Sequence, residues 1–368
     1  MDPLTHVVVG RAVVAAARDE TRNHLIGAAA ILGALSPDVD SVLAFSGWDR
    51  YVRAHQYGTH SLLGAMTTAL VAAIVVDRSA EAFALRRAVD RSADTSAIRR
   101  AVDRSADAFG LRRDVDRSAS TSALRIAAAD RRSAKASAER FPALFRAAAA
   151  GALSHIALDL ISGARIAILW PLDANRGSLP LVAMADPWLV AMCLVWLLML
   201  WPARVRLRTA SRALLSAAAI FLCFKAALLS LALRHPDHAP AEPSALEARW
   251  GSLTHWFIFE RAQNAVRTSA IASDGPPIVV MTRRLGPESP LVRASRSLDD
   301  VRNFLAVHEF AFPAETTDGD GRASVMWSDL RYCSPSGCGV WVGGTFDANG
   351  KALTQEVRVG TVVQRRSP

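Results

Sequence analysis

Apolar residues in this chain fall into blocks, separated by polar stretches of differing character. Residues 5–17 and 24–36 are two short apolar runs divided by Arg18-Asp19-Glu20-Thr21-Arg22-Asn23. A full membrane crossing takes roughly 20 residues, so each run alone is short; the pair predicts a tight helical hairpin or one bent element. Pro37 stops the second run, because proline cannot continue a helix interior. A polar stretch with Trp48, Arg50, Tyr51 and Arg53 leads to an apolar helix from Ser61 to Val76. Apolar composition returns over 141–170. Two membrane spans are expected next, at 187–203 and 213–233, the second with Lys225 as its only charge.

Beyond 233 the pattern changes. Prolines punctuate a linker over 234–243. In the remainder, Ile278–Met281, Ala323–Trp327, Gly339–Val342 and Val357–Val363 read as strands, and Asp347-Ala348-Asn349-Gly350 and Asp318-Gly319-Asp320-Gly321 as hairpin turns. Residues 244–270 and Leu298–Phe310 read as helical. The expected fold is mostly α: a polytopic membrane helix bundle with a C-terminal soluble α+β domain. Its predicted parts are membrane helices at 1–76, an insert at 77–143, further membrane helices at 144–233, the linker, and a soluble domain at 244–368.

The insert is repetitive. Val-Asp-Arg-Ser-Ala begins at Val76, Val89, Val102 and Val115, 13 residues apart, and the flanking residues alternate with a period of 26. Each unit has too few large apolar residues to build a stacked solenoid core. The composition suits a solvated helix or disorder in an expandable cytoplasmic loop.

With 51% hydrophobic residues the chain is too apolar for an ordinary soluble protein, which supports a membrane part joined to a soluble one. The net charge of +9 comes largely from Arg beside apolar segments. That is the placement of a positive-inside bias, and membrane lipids are the expected partners. No nucleic-acid readout motif accompanies the charge, so nucleic acid is not an expected partner. If the insert and the Arg204/Arg206/Arg208/Arg212 cluster are cytoplasmic, the C-terminal domain is extracytoplasmic. Cys333 and Cys338 flank a Ser-Pro-Ser-Gly turn there, positioned either as a disulfide or as two thiols. Cys193 and Cys223 lie in apolar runs and are expected to be packed.

The chemistry concentrates at the ends of the apolar blocks. Asp38 and Asp40 follow Pro37, and an extended turn would put both carboxylates on one side. His55 and His60 precede the Ser61 helix, where Thr59 or Ser61 could cap the first turn. A helix N-terminus there favours the neutral imidazole that metals need. His155 and Asp159, four apart, share one helix face, as two ligands or as a ligand and its orienter. His6 adds a further ligand. In the predicted topology these residues gather on the outer side. Imidazole with carboxylate suits a divalent metal, zinc or manganese, as one or two ions.

The ordered set Thr5-His6, Pro37-Asp38-Val39-Asp40, His55, Thr59-His60-Ser61, Ser154-His155 and Asp159 resembles the YdjM-like group of predicted membrane-bound metal-dependent hydrolases. The resemblance covers about residues 1–205 without the repeats. It implies a bacterial inner-membrane helical protein with a divalent-metal site. The metal ligands would come from His6, Asp38, Asp40, His60, His155 and Asp159, with His55 as a ligand or general acid/base. The expected activity is hydrolysis of an ester or phosphoester, with a lipid-linked small molecule as substrate. The alternative is a non-enzymatic membrane protein with a structural metal and a partner-binding C-terminal domain.

Overall fold

A computed structural model describes residues 1–17, 24–46, 51, 57–108, 118–200, 206–234, 244–319 and 322–367. Within these ranges, side chains are described except at 44–46, 88–108 and 118–135. His55, the Arg18–Asn23 turn, linker residues 235–243 and the Asp320-Gly321 half of one predicted hairpin turn lie outside the described residues.

The membrane part contains helices α1 (Pro3–Ala17), α2 (His24–Leu35), α3 (Leu62–Ala108), α4 (Ser118–Ile161), α5 (Pro187–Leu200) and α6 (Leu207–Leu233). Four stretches among the described residues are long and apolar enough to cross a membrane: His24–Leu43, Leu62–Arg87, Ala136–Ile161 and Leu207–Leu233. The first gains its length from a 3-10 segment, Ser36–Ser46, that continues past Pro37. Asp38 and Asp40 therefore sit on a 3-10 turn and not in the extended turn expected from sequence. The span predicted at 187–203 is a 14-residue helix within the described residues. At 1.5 Å per residue it reaches about 21 Å, against a hydrocarbon thickness of about 30 Å.

Small residues pack the bundle. Ala29, Ala30, Ala34, Ala148 and Ala152 are fully buried. A Cβ added to Gly33 would meet the Ala148 carbonyl oxygen at 2.1 Å, and one on Gly151 would meet that of Ala30 at 2.2 Å. Only glycine permits the α2 and α4 backbones to approach this closely, and such seams are how helices associate where lipid removes the hydrophobic drive. Large apolar side chains such as Leu63, Val71, Leu198 and Ile220 point outward instead, as a lipid-facing surface requires. Cys193 is buried, but Cys223 is exposed on α6, contrary to the packed thiol expected there.

The described repeat residues lie in helical extensions of α3 and α4, and residues 109–117 fall outside the described ones. Where these helices leave the apolar region, Asp77 takes hydrogen bonds from Ser137 and from Arg140, the latter at 2.7 Å through Nε.

The soluble part has a four-stranded antiparallel sheet in the order β1-β2-β3-β4 (Ser244–Ala248, His255–Ala262, Ala265–Ala272, Gly275–Arg284). A second sheet has the order β11-β10-β9-β6-β5, formed by Val362–Arg366, Ala352–Val359, Val340–Phe346, Ala323–Asp329 and Ala311–Thr317, and β7 (Cys333–Ser334) pairs with β8 (Gly337–Cys338) in a two-stranded ribbon. Short helices α7 (Pro290–Ser295) and α8 (Asp299–Leu305) cover it through Val292, Val301 and Phe304 against Trp327, Val342 and Phe346. Residues 244–270, expected to be helical, form β1, β2 and part of β3. His255–Phe259 alternates, with Trp256 and Ile258 buried, and aromatic and β-branched residues fit a half-buried pleat. Gly251, at φ 72°, supplies a left-handed position in the β1–β2 connection. The helix predicted over Leu298–Phe310 ends at Leu305. Asp347–Gly350 turns between β9 and β10 as expected. The overall class is the predicted one, a membrane helix bundle joined to a soluble α+β part.

The two parts are in contact. Trp256 is fully buried beside Leu181, Val182, Leu189 and Leu229, and its indole N–H donates to the Pro180 carbonyl at 3.1 Å. Lys225, also fully buried, donates to the Ser252 carbonyl at 2.9 Å and lies 4.6 Å from the Trp256 ring centroid. Arg165 pairs with Glu309 at 2.6 Å. Cys333 and Cys338 are joined as a disulfide.

Candidate metal centre

Four elements supply the centre. On α1, Asp2 accepts from the Thr5 backbone N–H at 2.9 Å, and Pro3 opens the helix, the combination favoured at helix starts. One residue further, His6 points inward, fully buried. On α4, the Ala148-Gly151-Ala152-His155 face that forms the seam with α2 carries His155 to the end of α2. There the Ala34 carbonyl is available, because Pro37, three residues on, has no N–H to offer it. His155 Nδ1 lies 2.7 Å from that oxygen. A carbonyl only accepts, so Nδ1 carries a hydrogen and Nε2 is the nitrogen turned toward the centre.

His60 ends the 3-10 turn Gly58–His60, and Ser61 Oγ caps α3 by accepting from the Gly64 N–H at 3.0 Å. The Thr59 hydroxyl donates to Asp40 Oδ2 at 2.7 Å and lies 3.2 Å from His60 Nδ1. With its proton given to Asp40, Thr59 Oγ1 acts as acceptor, so His60 also carries hydrogen on Nδ1 and turns Nε2 inward.

Around the centre, the inward imidazole nitrogens face one another and two carboxylates. His60 Nε2 and His155 Nε2 are 3.3 Å apart. Asp159 Oδ2 lies 3.0 Å from His155 Nε2 and 3.4 Å from His60 Nε2. Asp38 Oδ1 is 3.4 Å from His60 Nε2 and 3.6 Å from His155 Nε2. His6 stacks on His155 with centroids 3.7 Å apart, and its Nε2 is 3.3 Å from Asp159 Oδ1 without hydrogen-bond alignment. Both His6 nitrogens are buried with no hydrogen-bond partner. Buried polar atoms are normally satisfied, so this convergence of imidazole nitrogens and carboxylates favours a cation, whether a proton or a metal ion. The Met1 ammonium answers part of that demand by donating to Asp159 Oδ1.

The same demand appears in His60. Burial lowers its proton affinity, yet Asp159 and Asp38 outweigh burial and raise its pKa to about 9. The neutral imidazole expected from its place at a helix N-terminus is thus not what this environment favours, because two carboxylates outweigh a helix end. Tyr51 lies nearby; burial, then Asp40 and Asp38, push its phenol up to about 12.

Two groups of three can each hold an ion, His6/His155/Asp159 and Asp38/His60/His155. The structure therefore brings together His6, Asp38, His60, His155 and Asp159. Asp40 lies on the other side of His60, 3.7 Å from Nδ1. Sequence reasoning missed the Ala34 carbonyl, a backbone atom with no residue-type signal. It also missed the link from Thr59 to Asp40, although Thr59 stood within the motif.

Fold and site together define a polytopic membrane protein with a buried His/Asp centre at one end of its bundle. The chain belongs to the YdjM inner membrane protein family, whose sequence profile matches residues 1–234. The match covers the membrane helices and the repeats and ends before the soluble domain. No curated protein and no solved structure matches the chain.

Proposed function

We propose that this protein is a membrane-bound metal-dependent hydrolase acting on an ester or phosphoester. The observation that carries the reading is the convergence of the Nε2 atoms of His60 and His155, 3.3 Å apart, with the carboxylates of Asp38 and Asp159 beside them. Zinc or manganese fits this donor set. Such an ion supplies Lewis acidity toward the scissile ester and makes water nucleophilic near neutral pH.

The chain's own residues hold that chemistry in place. Ala34 fixes the ring of His155, and Thr59 with Asp40 fixes that of His60, outer contacts of the kind that set ligand orientation. An imidazole nitrogen binds one ion, and His155 belongs to both groups of three, so the geometry favours a single ion. Asp159 shares the Nε2 side of His155, which makes it a ligand and leaves orientation to Ala34. The side chain of Asp38 is 30% exposed, while His6, His60 and His155 are almost wholly buried. Substrate and water thus approach past Asp38, an open side that a purely structural metal would not need. The assignment of His55 as a general acid/base stays a proposal on sequence grounds.

Arg206, Arg208 and Arg212 stand at the start of α6, opposite the end that meets the soluble domain. The positive-inside bias favours a cytoplasmic location for that Arg-bearing end, which supports a site and a soluble domain on the outer face of a bacterial inner membrane. A site at a helix end and open beside lipid favours an amphipathic or lipid-linked substrate.

The test is metal content of the detergent-purified protein by mass spectrometry, with His155→Ala and Asp159→Asn variants. Near-stoichiometric metal in wild type, lost in both variants, is the expected result. Metal-free wild type in a folded preparation, or full occupancy in both variants, would overturn the assignment.

A further inference from the structure

The soluble domain reaches below the end of the bundle. Lys225, whose ammonium donates to the Ser252 carbonyl at 2.9 Å, lies eight residues before Leu233, the last residue of α6. At 1.5 Å per residue that contact is about 12 Å down the helix. Above this level α6 stays apolar and outward-facing, with Leu231 and Leu233 both exposed. The stretch of α6 long and apolar enough to cross a membrane also runs to Leu233. The turn at 249–254, between β1 and β2, therefore sits at a depth where the neighbouring helix still presents a lipid-facing surface.

The short α5 leaves room for it. Trp188, the second residue of that helix, donates its indole N–H to the Gly251 carbonyl at 3.4 Å, so the turn stands on the start of α5 and beside α6. Bundle side chains thus meet two of its carbonyls, those of Gly251 and Ser252. Within the turn, the Ser252 N–H donates to the Arg249 carbonyl at 3.2 Å, and Ser252 Oγ accepts from the N–H groups of Thr254 and His255. Backbone outside helices and closed barrels is tolerated near the hydrocarbon only where protein supplies such partners. Beside Gly251, Trp250 is 67% exposed, and Trp188 is exposed as well. Two exposed indoles at one level suit the boundary between acyl chains and headgroups. Arg249, also exposed, places its guanidinium 5.9 Å from the Phe257 ring centroid, back along β2, where it can reach headgroups. At the same end of the sheet β4 exposes Ile278 and Val279, in register through β3 with Phe257 and Ile258. The adjacent β3–β4 turn carries exposed Asp274 and stays with the headgroups.

We propose that the β1–β2 turn of the soluble domain is a lipid-binding surface, seated at the acyl–headgroup boundary of the leaflet on the side of the metal centre, with Trp250 as its anchor. Its partner is the bilayer itself, because the turn continues the lipid-facing surface of α5 and α6. The soluble domain is then held to the membrane twice, by Lys225 and Trp256 against the bundle and by Trp250 against lipid. The turn lies beyond the part shared with the family, so this contact belongs to the chain's own C-terminal domain. It involves no metal and no turnover, and it stands if the hydrolase reading falls.

The experiment places a spin label on the full-length protein in vesicles of phosphatidylcholine and phosphatidylglycerol. In a Cys223→Ser background, with the Cys333–Cys338 bridge left intact, Trp250→Cys is compared with Ile220→Cys on the exposed face of α6 and with Lys351→Cys in the β9–β10 turn. Collision rates with oxygen, which partitions into lipid, and with a nickel chelate, which stays in water, are read by electron paramagnetic resonance. The oxygen-to-nickel ratio at 250 should exceed that at 351 several-fold and lie nearer to that at 220. A ratio equal to that at 351 would put the turn in water and overturn the proposal. A label at 250 that neither reagent reaches, with spin–spin broadening, would mean that a second copy covers Trp250, and would equally overturn it. Trp250→Phe, which keeps an aromatic ring, gives a second reading. Brominated acyl chains should quench less of its tryptophan fluorescence than that of the wild type, by the share of one lipid-facing indole. Equal quenching in the two proteins would count against Trp250 as the anchor and overturn the assignment.

Discussion

The Nδ1 of His155 lies 2.7 Å from the carbonyl oxygen of Ala34, and that hydrogen bond crosses the tightest seam in the bundle. The two residues are 121 positions apart in sequence. What joins them is the absence of side chains on Gly33 and Gly151, which lets α2 and α4 come close enough for a backbone oxygen of one to orient an imidazole of the other. Helix packing and site chemistry are thus the same set of contacts. A change in the seam should therefore act as a change in the site.

Gly33→Ala tests that coupling. The added Cβ would lie 2.1 Å from the Ala148 carbonyl oxygen, a backbone atom that moves only with its helix. Overpacking of this kind costs about 1–3 kcal/mol, and separating the helices would lengthen the His155–Ala34 bond. The expected outcome is a lower unfolding temperature together with weaker metal retention, although no ligand has been touched. Thermal unfolding and metal content, measured on one preparation, check it. Metal retention at the wild-type level would uncouple seam from site.

Asp38 and Asp40 are two residues apart and should behave differently. Asp38 Oδ1 faces the inward nitrogens of His60 and His155, whereas Asp40 lies behind His60 and accepts from Thr59. Asp40→Asn should lower metal affinity by roughly 10- to 100-fold through a loosened His60 ring. Thr59→Val should produce a similar loss, and combining the two should add little because they act on the same bond. Asp38→Asn should weaken binding in a way that adds to Thr59→Val. Competition titration with a zinc chelator distinguishes the cases.

Much of this was legible in the chain because apolar blocks and breakers are strong signals. Pro37 ended α2, the block at 213–233 lay within α6, and the spacing of His155 and Asp159 put both on one face. What failed did so for definable reasons. Residues 244–270 carry enough Ala, Leu and Glu to suggest a helix, but the run from His255 to Phe259 alternates and pairs with β1 and β3. Tertiary pairing decided what local composition left ambiguous. The different placements of Asp38 and Asp40 depend on a 3-10 turn, whose period of three separates neighbours that an extended chain would align. Lys225, the only charge in its predicted span, holds the soluble domain, a role with no signal in local composition.

That role of Lys225 is open to measurement. Its ammonium reaches the Ser252 carbonyl and lies over Trp256, inside an apolar contact between the two parts of the chain. Lys225→Ala removes the donor and leaves a void beside the indole, a combination that typically costs about 2–4 kcal/mol. Amide hydrogen exchange should speed up over 252–258 and along β3. It should stay unchanged in β6 and β9, whose core lies against α7 and α8. Unchanged exchange in β2 would show that Trp256 alone secures the contact.

His308 gives the soluble domain a pH dependence of known sign. It is 7% exposed, its Nδ1 donates to the Phe304 carbonyl at 2.8 Å, and its Nε2 lies 2.9 Å from the Tyr332 hydroxyl. Burial, opposed by Asp329, pushes its pKa down to about 4 from the ordinary 6.5. The unfolded chain then binds a proton before the folded one does, so the contribution of His308 to stability is lost as pH falls from 6.5 through 4. His308→Gln should flatten the fall in unfolding temperature between pH 7 and pH 5. An equally steep fall in the variant would assign the acid sensitivity to other groups.

The orientation proposed for the chain predicts which cysteines a membrane-impermeant maleimide can reach. Cys333 and Cys338 are bridged in the soluble domain, while Cys193 is buried in the bundle and Cys223 faces outward from a membrane-spanning helix. On intact spheroplasts the reagent should label the protein only after mild reduction, and the label should map to Cys333 and Cys338. A Cys333→Ser variant should be labelled at Cys338 without reductant, which separates accessibility from bridge opening. If both cysteines stayed unlabelled until the membrane was permeabilised, the soluble domain would be cytoplasmic and the metal centre would open to the cell interior. The basic ends of α3, α4 and α6 would then face outward against the positive-inside bias. The same labelling experiment thus tests the sidedness of the centre, because Trp256 and Lys225 tie the soluble domain to the end of the bundle that carries it.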